Sequence, residues 1–184
     1  FQLGAALNHP DAGKVFDVSK ELNKKLKIDD ADVKIMSNNG YGNQQLVRNL
    51  IRREKPDGIF IFTDPRYWMW LFEMEREIRS KIPIFFLNIW DDFPAPLYNK
   101  DFYNSVDLLM AISKQTKLVN EIVLGEDAKN KIIKYVPHGI DHQAFFPIKG
   151  QEEEFQKYKL DTYKGKDVDF TVFFNSRNIQ RKHP

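Results

Sequence analysis

The sequence predicts an α/β protein: a doubly wound parallel β-sheet, followed near the C-terminus by the first strand of a second domain of the same kind. Two observations predict it. Apolar runs at Gly58–Phe62 (GIFIF), Ile82–Leu87 (IPIFFL), Leu108–Ile112 (LLMAI) and Lys131–Val136 alternate with segments whose apolar residues recur at helical spacing. The runs are also apolar throughout instead of alternating, the pattern of strands buried on both faces, and a helix between successive strands makes them parallel.

Taken in order, Phe1–Gly13 (FQLGAALNHPDAG) combines small residues with Asn-His-Pro-Asp turn chemistry and reads as a loop feeding a helix. Ala12–Leu26 places Val15, Val18, Leu22 and Leu26 on one stripe, a surface helix. Val33–Met36 is a short strand, and the loop Ser37–Asn43 (SNNGYGN) carries two glycines that suit either a ligand or a tight bend. Leu46, Val47, Leu50 and Ile51 define a helix ended by the Lys55-Pro56 step. Asp64-Pro65 starts another, with Trp68, Leu71, Phe72 and Ile78 on its apolar face. The helix before the fourth strand presents Leu118, Val119, Ile122 and Val123.

Tyr135–Pro147 (YVPHGIDHQAFFP) reads as a hinge. Pro137 forces extended backbone before it, Gly139 permits positive φ, and Phe145 and Phe146 offer rings to pin the exit. The organisation expected is a Rossmann-like domain over 1–147, a linker over 148–167 and the truncated start of a second domain over 168–184, opening with a strand at Phe170–Phe174. Both ends of the chain read as cut.

Composition narrows the function. The 184 residues carry 28 basic and 26 acidic side chains, net +2, so no long-range field toward nucleic acid is expected. Any anion site is local. The absence of cysteine removes disulfides and thiolate chemistry and points to a reducing, cytoplasmic setting. No apolar run approaches the roughly 20 residues that span a bilayer, which leaves peripheral membrane contact open. His9, His138, His142 and His183 fit no zinc spacing, so no metal site is expected.

In a parallel α/β sheet, ligands bind beyond the carboxyl ends of the strands. The loops to watch follow Phe62, Leu87, Ile112 and Val136. Two of them, Thr63–Trp68 and Asn88–Pro94, mix rings with hydrogen-bonding groups, the lining of a carbohydrate or nucleoside pocket. Asp91 and Asp92 are the candidate catalytic pair, able to serve as base and hydroxyl anchor, to bind a hard cation, or only to cap the next segment. Arg177, Arg181 and Lys182 follow the last apolar run, either as phosphate-binding cations or as a solvated basic tail.

Four of these pieces, in this order, resemble glycosyltransferase family 4 of the GT-B fold. They are Lys55-Pro56-Asp57-Gly58-Ile59, Val106–Ser113 (VDLLMAIS), Val136-Pro137-His138-Gly139-Ile140-Asp141 with Phe146-Pro147, and Arg177–Lys182 (RNIQRK). The resemblance implies two Rossmann-like domains, with residues 1–147 forming the acceptor side and the later residues beginning the nucleotide-sugar donor domain. It implies that Arg177 and Lys182 hold the donor diphosphate. It further implies retaining transfer of a sugar from a nucleotide-diphosphate sugar to an acceptor hydroxyl, with no cofactor and no metal. Gly4, Asn88, Trp90, Ser113, His138 and Gly139 are the expected cleft residues. The family commonly places a histidine after the strand that is here Ile82–Leu87, whereas this chain offers Asn88, Trp90 and Asp91. A fragment of this extent is expected to have little activity alone. The competing readings are a non-catalytic α/β binding or assembly module, and a sugar-nucleotide epimerase of the same fold.

Overall fold

A computed structural model describes residues 1–147, 153–166 and 168–172 of the chain. The chain divides into two compact units, Phe1–His138 and Gly139–Pro184, so the division falls within the hinge stretch.

The first unit begins with three short strands. β1 (Gln2–Ala5) pairs parallel with β3 (Lys34–Asn38), and β2 (Val15–Asp17) pairs antiparallel with β3 on its other side. Two expectations are corrected here. Phe1–Gly13 is not all loop, because Gln2–Ala5 finds a partner 33 residues away, Gln2 opposite Ile35. Val15 and Phe16 leave the expected helix for a strand because Met36 and Ile35 pair with them. Helix α1 (Ser19–Leu26) therefore starts late, where Asp17 Oδ1 accepts the Ser19 N–H at 3.0 Å.

Helix α2 (Gln44–Glu54) is capped at its start by Asn43 Oδ1, which accepts the Leu46 N–H at 2.9 Å. Lys55, at φ 48°, turns the chain out of α2 in the left-handed region. β4 (Ile59–Thr63), β5 (Ile84–Asn88), β6 (Leu108–Ala111) and β7 (Ile132–Tyr135) then form one all-parallel sheet in the order β4-β5-β6-β7. Between β4 and β5 lie α3 (Met69–Phe72) and α4 (Glu75–Arg79), where one continuous helix was expected. α5 (Lys100–Asn104) and α6 (Lys114–Leu124) follow β5 and β6. This is a Rossmann-like arrangement.

A strand order that advances in one direction, with right-handed crossovers, puts successive helices on one face of the sheet. The contacts agree. Phe86 meets Phe72 of α3 and Tyr103 of α5, with ring centroids 5.9 and 6.4 Å apart, and Asn88 bonds Asn120 of α6. Ile61, Ile84, Phe86 and Leu109 are buried under these helices with Leu71, Ile78 and Val119. Gly58–Phe62, expected to be buried on both faces, is buried on this one only: Phe60 and Phe62 remain 59% and 42% exposed.

Two of the quoted motifs serve this architecture. Asp107, in Val106–Ser113, accepts the Ile84 N–H at 2.8 Å and pairs with Arg79 at 3.0 Å, tying the entrance of β5 to α4. In Ser37–Asn43, Gly42 sits at φ 104°, and an added Cβ would lie 3.2 Å from the Trp70 ring, so a tight bend against an aromatic explains that glycine.

In the second unit, Asp141 Oδ1 accepts the Gln143 N–H at 2.9 Å and the Phe145 N–H reaches Asp141 O at 2.7 Å, a local turn. Phe145 and Phe146, expected to pin the exit, are exposed. Helix α7 (Glu153–Tyr163) follows, and Tyr163 Oη lies 2.7 Å from Thr171 Oγ1. Residues 170–172 form no strand, and Phe170 and Val172 are exposed. The remainder of the strand expected at Phe170–Phe174 lies outside the described residues. Among the described residues, no helix is long and apolar enough to cross a membrane.

Candidate functional site

The four parallel strands end level. Thr63 pairs with Asn88, Asn88 with Ala111 and Ala111 with Tyr135, so the loops that follow leave the sheet at one height. That level rim is where a Rossmann-like sheet offers its ligand site.

At the first loop, Thr63 takes φ 105°, a conformation that a β-branched residue adopts only under strain. Asp64 then caps the turn that follows, accepting the Arg66 N–H at 2.9 Å, and grips the Arg66 guanidinium through Nε at 2.9 Å and Nη2 at 2.5 Å. Burial works to raise the Asp64 carboxyl; the bonds from the Arg66 side chain and backbone outweigh it and hold the carboxyl below its ordinary range. Arg66 lies over the Trp90 ring, 5.8 Å from its centroid, and Trp90 meets Tyr98 edge-on at 6.1 Å. The first two rim loops are thus joined by a cation lying on one aromatic ring.

Asn88, an expected cleft residue, is fully buried. Its amide donates to Tyr103 Oη at 2.9 Å and Asn120 Oδ1 at 2.6 Å, and its oxygen accepts the Trp90 N–H at 3.2 Å. It faces the helices, so it shapes the second loop from below and is not open to a ligand. Burial pushes the Tyr103 hydroxyl's pKa up, so it stays a neutral member of this network. Trp90 itself is at the rim and half-buried, its indole N–H donating to Asp92 O at 3.2 Å.

The two candidate catalytic carboxylates differ in what holds them. Asp92 Oδ1 accepts the Phe93 N–H at 2.9 Å. The Asp91 carboxylate has no hydrogen-bond partner among the described residues, while its backbone oxygen accepts from Gln115 Nε2 at 2.9 Å. Both are exposed. Ser113 is the N-cap of α6: its Oγ accepts the Thr116 N–H at 2.9 Å.

His138, after β7, sits edge-on to Phe62 of β4 with centroids 5.7 Å apart, so the chain leaving β7 reaches the opposite edge of the sheet. Gly4 is not in a loop: it lies within β1 opposite Ser37, with an ordinary 3.4 Å contact to Ile35 where a Cβ would stand. Gly139 opens the second unit. Arg177 and Lys182 lie outside the described residues.

The rim therefore brings together Trp90, Asp91, Asp92 and Ser113 with Thr63, Asp64, Arg66, Tyr98 and Gln115, and leaves Gly4 and Asn88 out. Sequence reading placed the loops, with Thr63 heading the first, but passed over Tyr98 and Gln115, neither of which belongs to a patterned motif. No protein-family model, curated protein or solved structure matches the chain significantly.

Proposed function

We propose that the chain is the acceptor side, and the start of the donor side, of a retaining glycosyltransferase that uses a nucleotide-diphosphate sugar. The observation that carries this reading is the level rim of four parallel strands, crowned by an arginine–tryptophan–tyrosine cluster and a free carboxylate, in a chain with the four ordered motifs. Rings flanked by carboxylates are suited to a sugar, whose C–H faces pack on aromatics while its hydroxyls need acceptors.

In this scheme, Arg177 and Lys182 bind the diphosphate and stabilise the charge it gains as the anomeric C–O bond breaks. The acceptor oxygen bonds to the anomeric carbon on the same face, and its proton passes to Asp91. Asp91 is preferred to Asp92 because the latter's Oδ1 is engaged by the Phe93 N–H. No metal has a part in these steps.

Calorimetric titration with UDP-glucose and GDP-mannose, alongside a transfer assay on the longest soluble form of the protein, tests the scheme. Arg177→Ala with Lys182→Ala should abolish binding. Asp91→Asn should leave binding intact and lower turnover about 10²- to 10⁴-fold, the usual worth of a general base. Unchanged binding in the double variant rules out the diphosphate site.

A second reading, a non-catalytic α/β binding module, is favoured by one observation: Asn88 and the hydroxyl of Ser113 are committed to structure. Such a module would ignore sugar nucleotides in the same titration.

A further inference from the structure

We propose that the first unit contains a slot for an extended peptide strand, between the open edges of β1 and β4. Each strand is the outermost of its own sheet, and the two are not hydrogen-bonded to each other. Between them lies a cavity of about 790 Å³, lined on one side by Phe1, Gln2 and Leu3 and on the other by Ile59–Thr63.

The backbone bonds show which groups face it. Ile59 donates its N–H to Pro83 O beside β5, so along β4 the N–H and C=O groups of Phe60 and Phe62 point the other way, into the cavity. Ala6 donates to Asn38 O beside β3, so those of Leu3 point outward from β1. Phe62 O is capped by the Trp68 indole N–H at 3.1 Å. The Phe60 N–H and C=O, the Phe62 N–H and both groups of Leu3 lie on the unpaired side of an outermost strand, and no turn, loop or side-chain hydrogen bond engages them among the described residues.

Facing rows of unpaired donors and acceptors are matched by one chemistry, another backbone in extended conformation, which pairs with both rows at once. A small apolar ligand would fill the volume and leave the rows unmet. The walls set the side chains: Val47, Leu50 and Ile51 of α2, with Trp68, Trp70 and Leu71, line the helix side, so alternate residues of the occupant are apolar. On the other side Phe60 and Phe62 gain cover. The proposal is independent of the sugar-transfer reading, since it involves neither Asp91 nor the basic residues at 177 and 182.

The test is amide hydrogen exchange by NMR, with the peptide acetyl-Lys-Val-Ile-Val-Ile-Lys-amide added to about 1 mM, roughly ten times a Kd of about 0.1 mM, because protection by binding scales as 1 + [L]/Kd. Exchange at Phe60 and Phe62 should slow at least about tenfold, the mark of newly paired strand amides. The same peptide N-methylated at alternate residues should have no effect. Phe60→Pro, which removes an outward N–H at an edge position where proline is tolerated, should lose the response while keeping the far-UV circular dichroism of the parent. Leu50→Trp, which fills the wall and leaves both edges intact, should lose it too. No slowing with the parent peptide, equal slowing with the N-methylated one, or protection of the same amides by self-association without peptide would each overturn the proposal.

Discussion

Three residues at the rim or buried beneath it carry separable energies. Thr63 holds φ 105°, and relief of such strain is worth about 1–3 kcal/mol, against about 0.5–1 kcal/mol lost by placing glycine in a strand. Thr63→Gly should therefore raise stability in a urea titration, by up to about 2.5 kcal/mol; a loss would mean that the strain is offset by the contacts of the threonine side chain. Tyr103→Phe keeps the ring and removes the hydroxyl that accepts from Asn88, leaving a buried donor unmet at a cost of about 1–3 kcal/mol. That loss should appear as a lower urea midpoint at unchanged slope. Asp64 supplies the pH dependence. Its folded-state pKa lies below the ordinary value of 3.8, so its contribution is fully present above that pH and is lost as pH falls through the folded value. The acid limb of the stability profile should flatten in Asp64→Asn, and an unaltered limb would show the Arg66 pair to be without weight. Of these residues the sequence made only Asp64 legible, as a cap before Pro65. Thr63 carries no mark of a positive φ, and Asn88 differs from an exposed loop asparagine only through Tyr103 and Asn120, which lie 15 and 32 positions along the chain.

Elements were legible where local pattern and tertiary pairing agree. β4 to β7 are continuous apolar runs, and each settles within two residues of its expected bounds because helices bury one face and neighbours pair both edges of β5 and β6. β1 and β2 were missed because small residues and a coincidental helical spacing at Val15, Val18 and Leu22 spoke for loop and helix. Pairing with β3 decided otherwise. The helix expected after Asp64 breaks into α3 and α4, although Leu71, Phe72 and Ile78 are buried as its apolar face required. Capping offers a prediction at this scale. Ser113→Ala should cost about 0.5–2 kcal/mol by freeing the Thr116 N–H at the start of α6, and Ser113→Asp should restore most of it. If both variants unfold at the parent's midpoint, Ser113 does not hold the helix start, and its hydroxyl is available to a ligand after all.

For the whole molecule, the fold class followed from alternation of strand and helix, while the distribution of helices over the two faces did not. A run such as Gly58–Phe62 looks the same whether its second face is covered or open. The consequence is a sheet with a level, furnished rim and an exposed aromatic face at Phe60 and Phe62. The proposed ligand site is that rim, and amide chemical-shift mapping with UDP-glucose and GDP-mannose tests it most directly. Shifts should concentrate in Thr63–Trp68 and Asn88–Asp92 and vanish in the Arg177→Ala, Lys182→Ala double variant. Shifts confined to other parts of the chain, or none with either sugar nucleotide, would contradict it.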